Sequence, residues 1–123
     1  MDGMGIFNFG IKLVPIDIKY TIERSGKSLS EIDIILFHQA NKMMTDFLAK
    51  RLKFDLKNVP YCLEKYGNTG PASIPLTIVT QMHNSESYPN RKNVLMSGFG
   101  AGLSWGTAIT TMEESRISEV IEY

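Results

Sequence analysis

A single cysteine, Cys62, in 123 residues excludes a disulfide framework within the chain and makes a reducing, cytoplasmic setting the natural expectation. An excess of charge of one sign is missing as well. Thirteen basic residues face thirteen acidic ones, so no whole-chain field exists to gather nucleic acid or an anionic membrane surface. No apolar run approaches the length of a bilayer span, and the start, Met1-Asp2-Gly3-Met4-Gly5, has no basic segment ahead of an apolar one. Neither a membrane anchor nor an export signal is expected. Repeats, low-complexity tracts and linkers are absent too. The two histidines, His38 and His83, have no cysteine or second histidine at ligand spacing, so no metal site is expected.

What is present is enough apolar sequence, 43% of residues, to bury one core, with too little length for two ordinary domains. The chain reads as one domain, or half of a larger one, over residues 1–112, followed by an acidic, weakly patterned tail over 113–123. Strand-like and helix-like segments alternate, which argues for an α/β layer structure. Phe7, Ile11, Val14, Ile18 and Ile22 recur at helical spacing, and Pro15 is expected to kink or restart that helix. Ser25 to Ser28 closes it. Ile32 to Phe37 is a near-continuous apolar run of the kind buried on both faces of a sheet.

From Asn41, a plausible cap, Met44, Phe47, Leu48 and Leu52 mark one face of a second helix. A second strand is expected near Val59 to Leu63, then a loop over Gly67 to Gly70 and a helix carrying Ile74, Ile78, Val79 and Met82. Pro71 and Pro75 suit its first turn. After a polar loop from Ser85 to Asn90, Asn93 to Ser97 and Leu103 to Thr111 read as strands joined through Gly98-Phe99-Gly100-Ala101-Gly102. Strand-helix-strand crossovers make strands parallel. The loops at the carboxyl edge, where α/β sheets bind ligands, then deliver His38 with Asn41, Asn68 with Thr69, and the glycine-rich connection.

These residues carry a resemblance. His38-Gln39-Ala40-Asn41, Gly67-Asn68-Thr69 with Ala72-Ser73-Ile74-Pro75, Gly98-Phe99-Gly100-Ala101-Gly102 and Trp105-Gly106 stand in the order expected for the 3-oxoacyl-[acyl-carrier-protein] synthase III family. Met1-Asp2-Gly3 with Phe7 resembles the start of that family's second half. The resemblance covers roughly residues 1 to 110. It implies a thiolase-like half domain, a layered mixed sheet flanked by helices. It also implies decarboxylative Claisen condensation of an acyl-coenzyme A starter with a malonyl-acyl carrier protein in fatty acid biosynthesis. The coenzyme A and carrier-protein pantetheine thioesters are substrates, and no further cofactor is implied. The full-length family member would be a homodimer.

By that resemblance His38 and Asn68 are the catalytic pair. An imidazole N–H and a carboxamide N–H can both stabilise the enolate oxygen left when carbon dioxide departs, without protonating the carbanion. His38 must then be neutral, and the helix beginning near Asn41 would oppose its positive charge, so a depressed pKa is expected. Gly3, Phe7 and Asn41 would contact substrate, Asn41 also serving as a cap. Phe99 and a backbone N–H near Ala101 would lie beside the nucleophile, or the glycines there serve only a tight β-connection. A dinucleotide fingerprint is excluded there by Leu103 at the third glycine's place.

Lys42, Lys50 and Arg51 lie in a basic cluster that either receives an acidic acyl carrier protein or is a plain solvated face. Met43 departs from the family pattern, which often has arginine at that place. In the resembling family the nucleophilic cysteine belongs to the N-terminal half. Cys62 does not match it and reads as core packing. The chain alone is therefore expected to be inactive in condensation and to need the missing N-terminal half. The alternatives are a non-catalytic acyl- or coenzyme A-binding module and half of a split, polyketide-type condensing enzyme.

Overall fold

The computed structural model describes residues 2–84, 86–113 and 115–121. Met1 of the opening motif, Ser85 of the expected polar loop, and Glu114, Glu122 and Tyr123 of the tail lie outside the described residues. A three-stranded mixed sheet organises the rest. β1 (Ile34–Phe37) pairs in parallel with β2 (Val94–Gly100), and β2 pairs antiparallel with β3 (Ser104–Thr110). Two interlocking bonds set the parallel register just before the strands begin: Asp33 N–H donates to the Asn93 carbonyl, and Asn93 N–H donates to Asp33 Oδ2, both at 2.9 Å.

All four residues of β1 are buried, as its unbroken apolar run requires. Side chains alternate across the sheet. Ile35 and Phe37, with Leu95 and Phe99 of β2, join the core beneath α1 (Gly3–Arg24) and α2 (Lys42–Leu52). Ile34 and Leu36, with Val94, join a second cluster with Met82, Ile74 and Ile78 of α4 (Ser73–Gln81) and its end. The central strand is thereby covered on both faces. Each fully buried side chain of this size contributes roughly 1.5–3 kcal/mol relative to its exposed state.

α1 presents Val14, Ile18 and Ile22 to the core and runs through Pro15 as one helix instead of restarting there. Phe9 and Gly10 are buried, whereas Phe7 and Ile11 are only half-buried. Asp2 caps it by accepting the Gly5 N–H. At the far side Asp17 Oδ2 accepts the Thr107 hydroxyl at 2.6 Å and ties α1 to β3. α2 buries Met44, Leu48 and Leu52 as its spacing indicates; Thr45 and Ala49 complete the face, and Phe47 is exposed instead.

The strand expected near Val59 to Leu63 does not form. Pro60 has no N–H for a ladder, and the Cys62 N–H is taken by a side chain, Gln39 Oε1, at 3.2 Å. In place of a strand the chain makes a 3-10 turn at Leu56–Asn58 and a one-turn helix, α3 (Leu63–Tyr66). One long crossover therefore joins β1 to β2. β2 also runs further than expected, through Gly98 and Phe99 to Gly100, and the tight connection is the three residues Ala101 to Leu103, where Gly102 takes a φ of 125°. Positive φ there favours glycine. The described residues of the tail form no helix or strand, although Ile117, like Met112 just before the tail, packs against the second cluster.

Candidate active site

β1 stops at Phe37 because the chain turns at His38, whose backbone N–H makes one further bond to the Ser97 carbonyl at 2.9 Å. The His38 ring thus leaves the sheet at its carboxyl edge. Three residues on, Asn41 opens α2, its Oδ1 accepting the Met44 N–H at 2.8 Å. The Gly67–Thr69 segment between α3 and α4 approaches the same edge, as do the end of β2 and the hairpin turn. They enclose an open cavity of about 920 Å³ whose wall includes His38, Asn41, Met44, Asn68, Phe99 and Trp105.

Every residue expected to be catalytic or substrate-binding lines this one cavity: His38, Asn68, Gly3, Phe7, Asn41, Phe99 and Ala101. Asn68 arrives by a loop after a short helix, not after a strand, yet at the expected edge. Its carboxamide orientation is fixed, because an N–H can bond only to the amide oxygen: Gly70 N–H donates to Asn68 Oδ1 at 3.0 Å. Among the described residues no hydrogen bond occupies its NH2 group.

The His38 imidazole is held below its ordinary value, first by burial, with a backbone hydrogen bond to Gly70 working in the opposite sense. The direction is the one expected, but desolvation is the larger cause, not the N-terminus of α2. Phe99 packs against the imidazole in a T-shaped contact, at 5.5 Å between centroids and 84° between planes. His38 Nδ1 is bonded to Ser73 Oγ at 2.7 Å. Ser73 is buried and also accepts the Gln39 backbone N–H at 3.2 Å.

Ser73, Met44, Ile74 and Trp105 line the cavity without having been singled out as site residues in the sequence. For Ser73 a signal existed: Ser73 and Thr77, four apart, are polar positions among the apolar residues of the first two turns of α4, and both are buried. The basic residues are distributed differently from the site. Lys42 and Lys50 border a shallow depression on α2 together with exposed Met43 and Phe47. Lys42 is paired with Asp46 at 2.9 Å. Lys50 and Arg51 sit in the last turn, about 9–11 Å along the helix from Met44 of the cavity wall at a rise of about 1.5 Å per residue.

Cys62 is buried, its Sγ within 3.1 Å of Thr77 Oγ1, and it does not line the cavity. His83 is exposed at the end of α4, with Nδ1 donating to the Val79 carbonyl. Among the described residues no group of acidic, cysteine or histidine side chains could hold a metal ion, and no helix is long and apolar enough to cross a membrane.

Three comparisons bear on this arrangement. The family described as 3-oxoacyl-[acyl-carrier-protein (ACP)] synthase III C terminal matches residues 22–112. The beta-ketoacyl-[acyl-carrier-protein] synthase III of Streptococcus sanguinis is 42% identical over 113 residues, covering 91% of this chain and 35% of its own length. A chloroplastic counterpart from Arabidopsis thaliana is 41% identical over 109 residues, covering 89% of this chain and 27% of its own. The crystal structure of a 3-oxoacyl-(acyl-carrier protein) synthase from Burkholderia xenovorans matches with a TM-score of 0.90 at 37% identity, over 100% of this chain and 35% of that one. The chain thus spans between about a quarter and a third of the length of these relatives.

Proposed function

We propose, from the premise that the chain belongs to the 3-oxoacyl-[acyl-carrier-protein] synthase III C-terminal family, that it provides the malonyl-activating part of a decarboxylative Claisen condensation. Its fold is an α/β, thiolase-like half domain with a mixed sheet. The single observation that carries the reading is that His38 and Asn68 border one cavity, the first with its pKa lowered by burial and the second with its NH2 unbonded among the described residues.

In this proposal the malonyl thioester binds with its carbonyl oxygen between the His38 and Asn68 N–H groups. The bond between the carboxylate and the methylene carbon breaks, carbon dioxide leaves, and the electron pair passes into an enolate whose negative oxygen the two donors stabilise. Such preorganised donors are worth about a hundredfold or more each in rate. The carbanion carbon then attacks the carbonyl of an acyl group held as a thioester on a cysteine, expelling the thiolate. That cysteine is proposed to lie outside this chain, since Cys62 is buried away from the cavity. On this reading the chain alone performs no condensation.

Gly3, Phe7, Asn41, Phe99 and the backbone at Ala101 are proposed to receive the pantetheine arm and the acyl end. Lys42, Lys50 and Arg51 are proposed to meet an acidic acyl carrier protein, with exposed Met43 and Phe47 supplying apolar contact between the charges. The complementary half, an acyl-coenzyme A starter, a homodimeric full-length state and a cytoplasmic site complete the proposal.

Decarboxylation needs no acyl-cysteine, so the pair can be tested on the chain itself. Malonyl-pantetheine titrated against chain labelled with 15N in histidine and asparagine side chains should move the His38 and Asn68 resonances together, with slow release of carbon dioxide. At millimolar thioester, unmoved resonances of both side chains and no carbon dioxide above the buffer rate would overturn the reading.

A further inference from the structure

His38 can serve as a donor to substrate only if its available ring nitrogen carries a proton, and the surroundings of Ser73 decide which nitrogen does. Ser73 Oγ lies 2.7 Å from His38 Nδ1 and receives the Gln39 backbone N–H at 3.2 Å. A serine hydroxyl has one proton to give and lone pairs to receive others. Among the described residues, His38 Nδ1 is the acceptor in reach of that proton; the other bond at Oγ comes from a donor.

If Nδ1 were protonated instead, Oγ would receive two donors and its own proton would be left unpaired in a buried site, which native interiors avoid. We infer that Ser73 is a positioning residue: by donating its hydroxyl proton to Nδ1 it holds His38 as the Nε2–H tautomer, so that the ring's one N–H, which also serves the backbone bond at Gly70, is the donor a ligand in the cavity would meet. The inference rests on the proposed donor role of His38.

The remaining contacts explain why Ser73 is fixed. It is the first residue of α4, its carbonyl accepts the Thr77 hydroxyl at 2.8 Å, and Thr77 in turn contacts Cys62 Sγ. Gln39 closes the ring, its Oε1 accepting the Cys62 N–H. A buried polar circuit therefore sets the hydroxyl against the imidazole. Such an indirect partner fixes tautomer and ring orientation without touching substrate.

The test reads the imidazole directly, by long-range 1H–15N correlation on the chain at a pH where His38 is neutral. Wild type should show Nε2 protonated and Nδ1 bare, with Nδ1 displaced as a hydrogen-bond acceptor. His83, whose Nδ1 donates to a carbonyl, gives an internal reference of the opposite kind. Ser73→Ala should shift the ratio of Nε2–H to Nδ1–H by about fivefold toward Nδ1–H, the loss of one hydrogen bond of about 1 kcal/mol. Ser73→Thr, which keeps the hydroxyl, should restore the wild-type ratio. If Ser73→Ala does not fold, Ser73→Cys, a weak donor of similar size, should show the same shift.

Nδ1–H in the wild type, or an unchanged ratio in a folded alanine or cysteine variant, overturns the inference. The measurement needs no substrate. A wrong tautomer removes the role of Ser73, whereas failure of the condensing reading appears separately as loss of malonyl-thioester binding and decarboxylation.

Discussion

Gln39 Oε1 accepts the backbone N–H of Cys62, 3.2 Å away and twenty-three residues along the chain, while Gln39 Nε2 donates to the Phe37 carbonyl at 2.9 Å. A fully buried glutamine thus does what a neighbouring strand would do for two backbone groups. Gln39→Ala leaves both unsatisfied, at about 1–3 kcal/mol for each buried group. Urea unfolding should show a loss of about 2–5 kcal/mol, and a loss below 1 kcal/mol would mean that water enters to replace the amide.

Gly10 on α1 and Met44 on α2 share one small space. A Cβ added at Gly10 would overlap the Met44 methyl, with Phe99 close behind. Met44 is flexible and borders the cavity, so Gly10→Ala should displace its tip toward the bound acyl end instead of parting the helices. The expected stability loss is about 1–3 kcal/mol, the usual cost of overfilling a core. In a double-mutant cycle Met44→Ala should cost less in the Gly10→Ala background than in wild type, with a coupling of about 0.5 kcal/mol or more. Additive effects would show that the two side chains do not compete for the space.

Asn68→Asp separates the two ends of the carboxamide. The oxygen that receives the Gly70 N–H is kept, and the NH2 is replaced by a second, negatively charged oxygen. Loop geometry and stability should change little, whereas malonyl-thioester decarboxylation should fall by about 10²–10³, as for loss of one donor to a developing oxyanion. Carbon dioxide release at the wild-type rate with a folded variant would remove Asn68 from the proposed reaction.

The elements legible in the sequence were those with one dominant signal. β1 is an unbroken apolar run, α2 has both an asparagine cap and a 3.6-residue period, and the glycine-rich hairpin joins two alternating strands. Val59 to Leu63 looked like a strand because Val59, Tyr61, Cys62 and Leu63 are good strand residues. A proline and a side chain from a distant segment decided otherwise. Phe47 was misplaced because helical spacing alone does not tell which flank of an apolar stripe meets the core. The cavity residues were legible as motifs, but their mutual bonds were not: the contact between His38 and Ser73 joins residues thirty-five apart and depends on where α4 begins.

Burial of the His38 imidazole gives stability a pH dependence whose sign can be worked out. The folded-state value is depressed below the ordinary one of about 6.5, so between the two the unfolded chain binds more protons than the folded one. Stability therefore rises with pH across that window. On acidification it starts to fall as pH drops through about 6.5, and the loss is complete once pH is below the folded-state value. The carboxylates with depressed values, Glu31 and Asp55, are fully exposed and titrate from below their ordinary values of 4.5 and 3.8, outside the same window. Unfolding midpoints in urea measured between about pH 7.5 and about pH 5.5, a range that brackets the imidazole value, should fall on acidification. His38→Asn should be less stable at neutral pH, because the bond to Ser73 is disturbed, yet show a flatter profile over that range. An equally steep profile in the variant would place the responsible group elsewhere and would leave His38 without the desolvated environment its donor role requires.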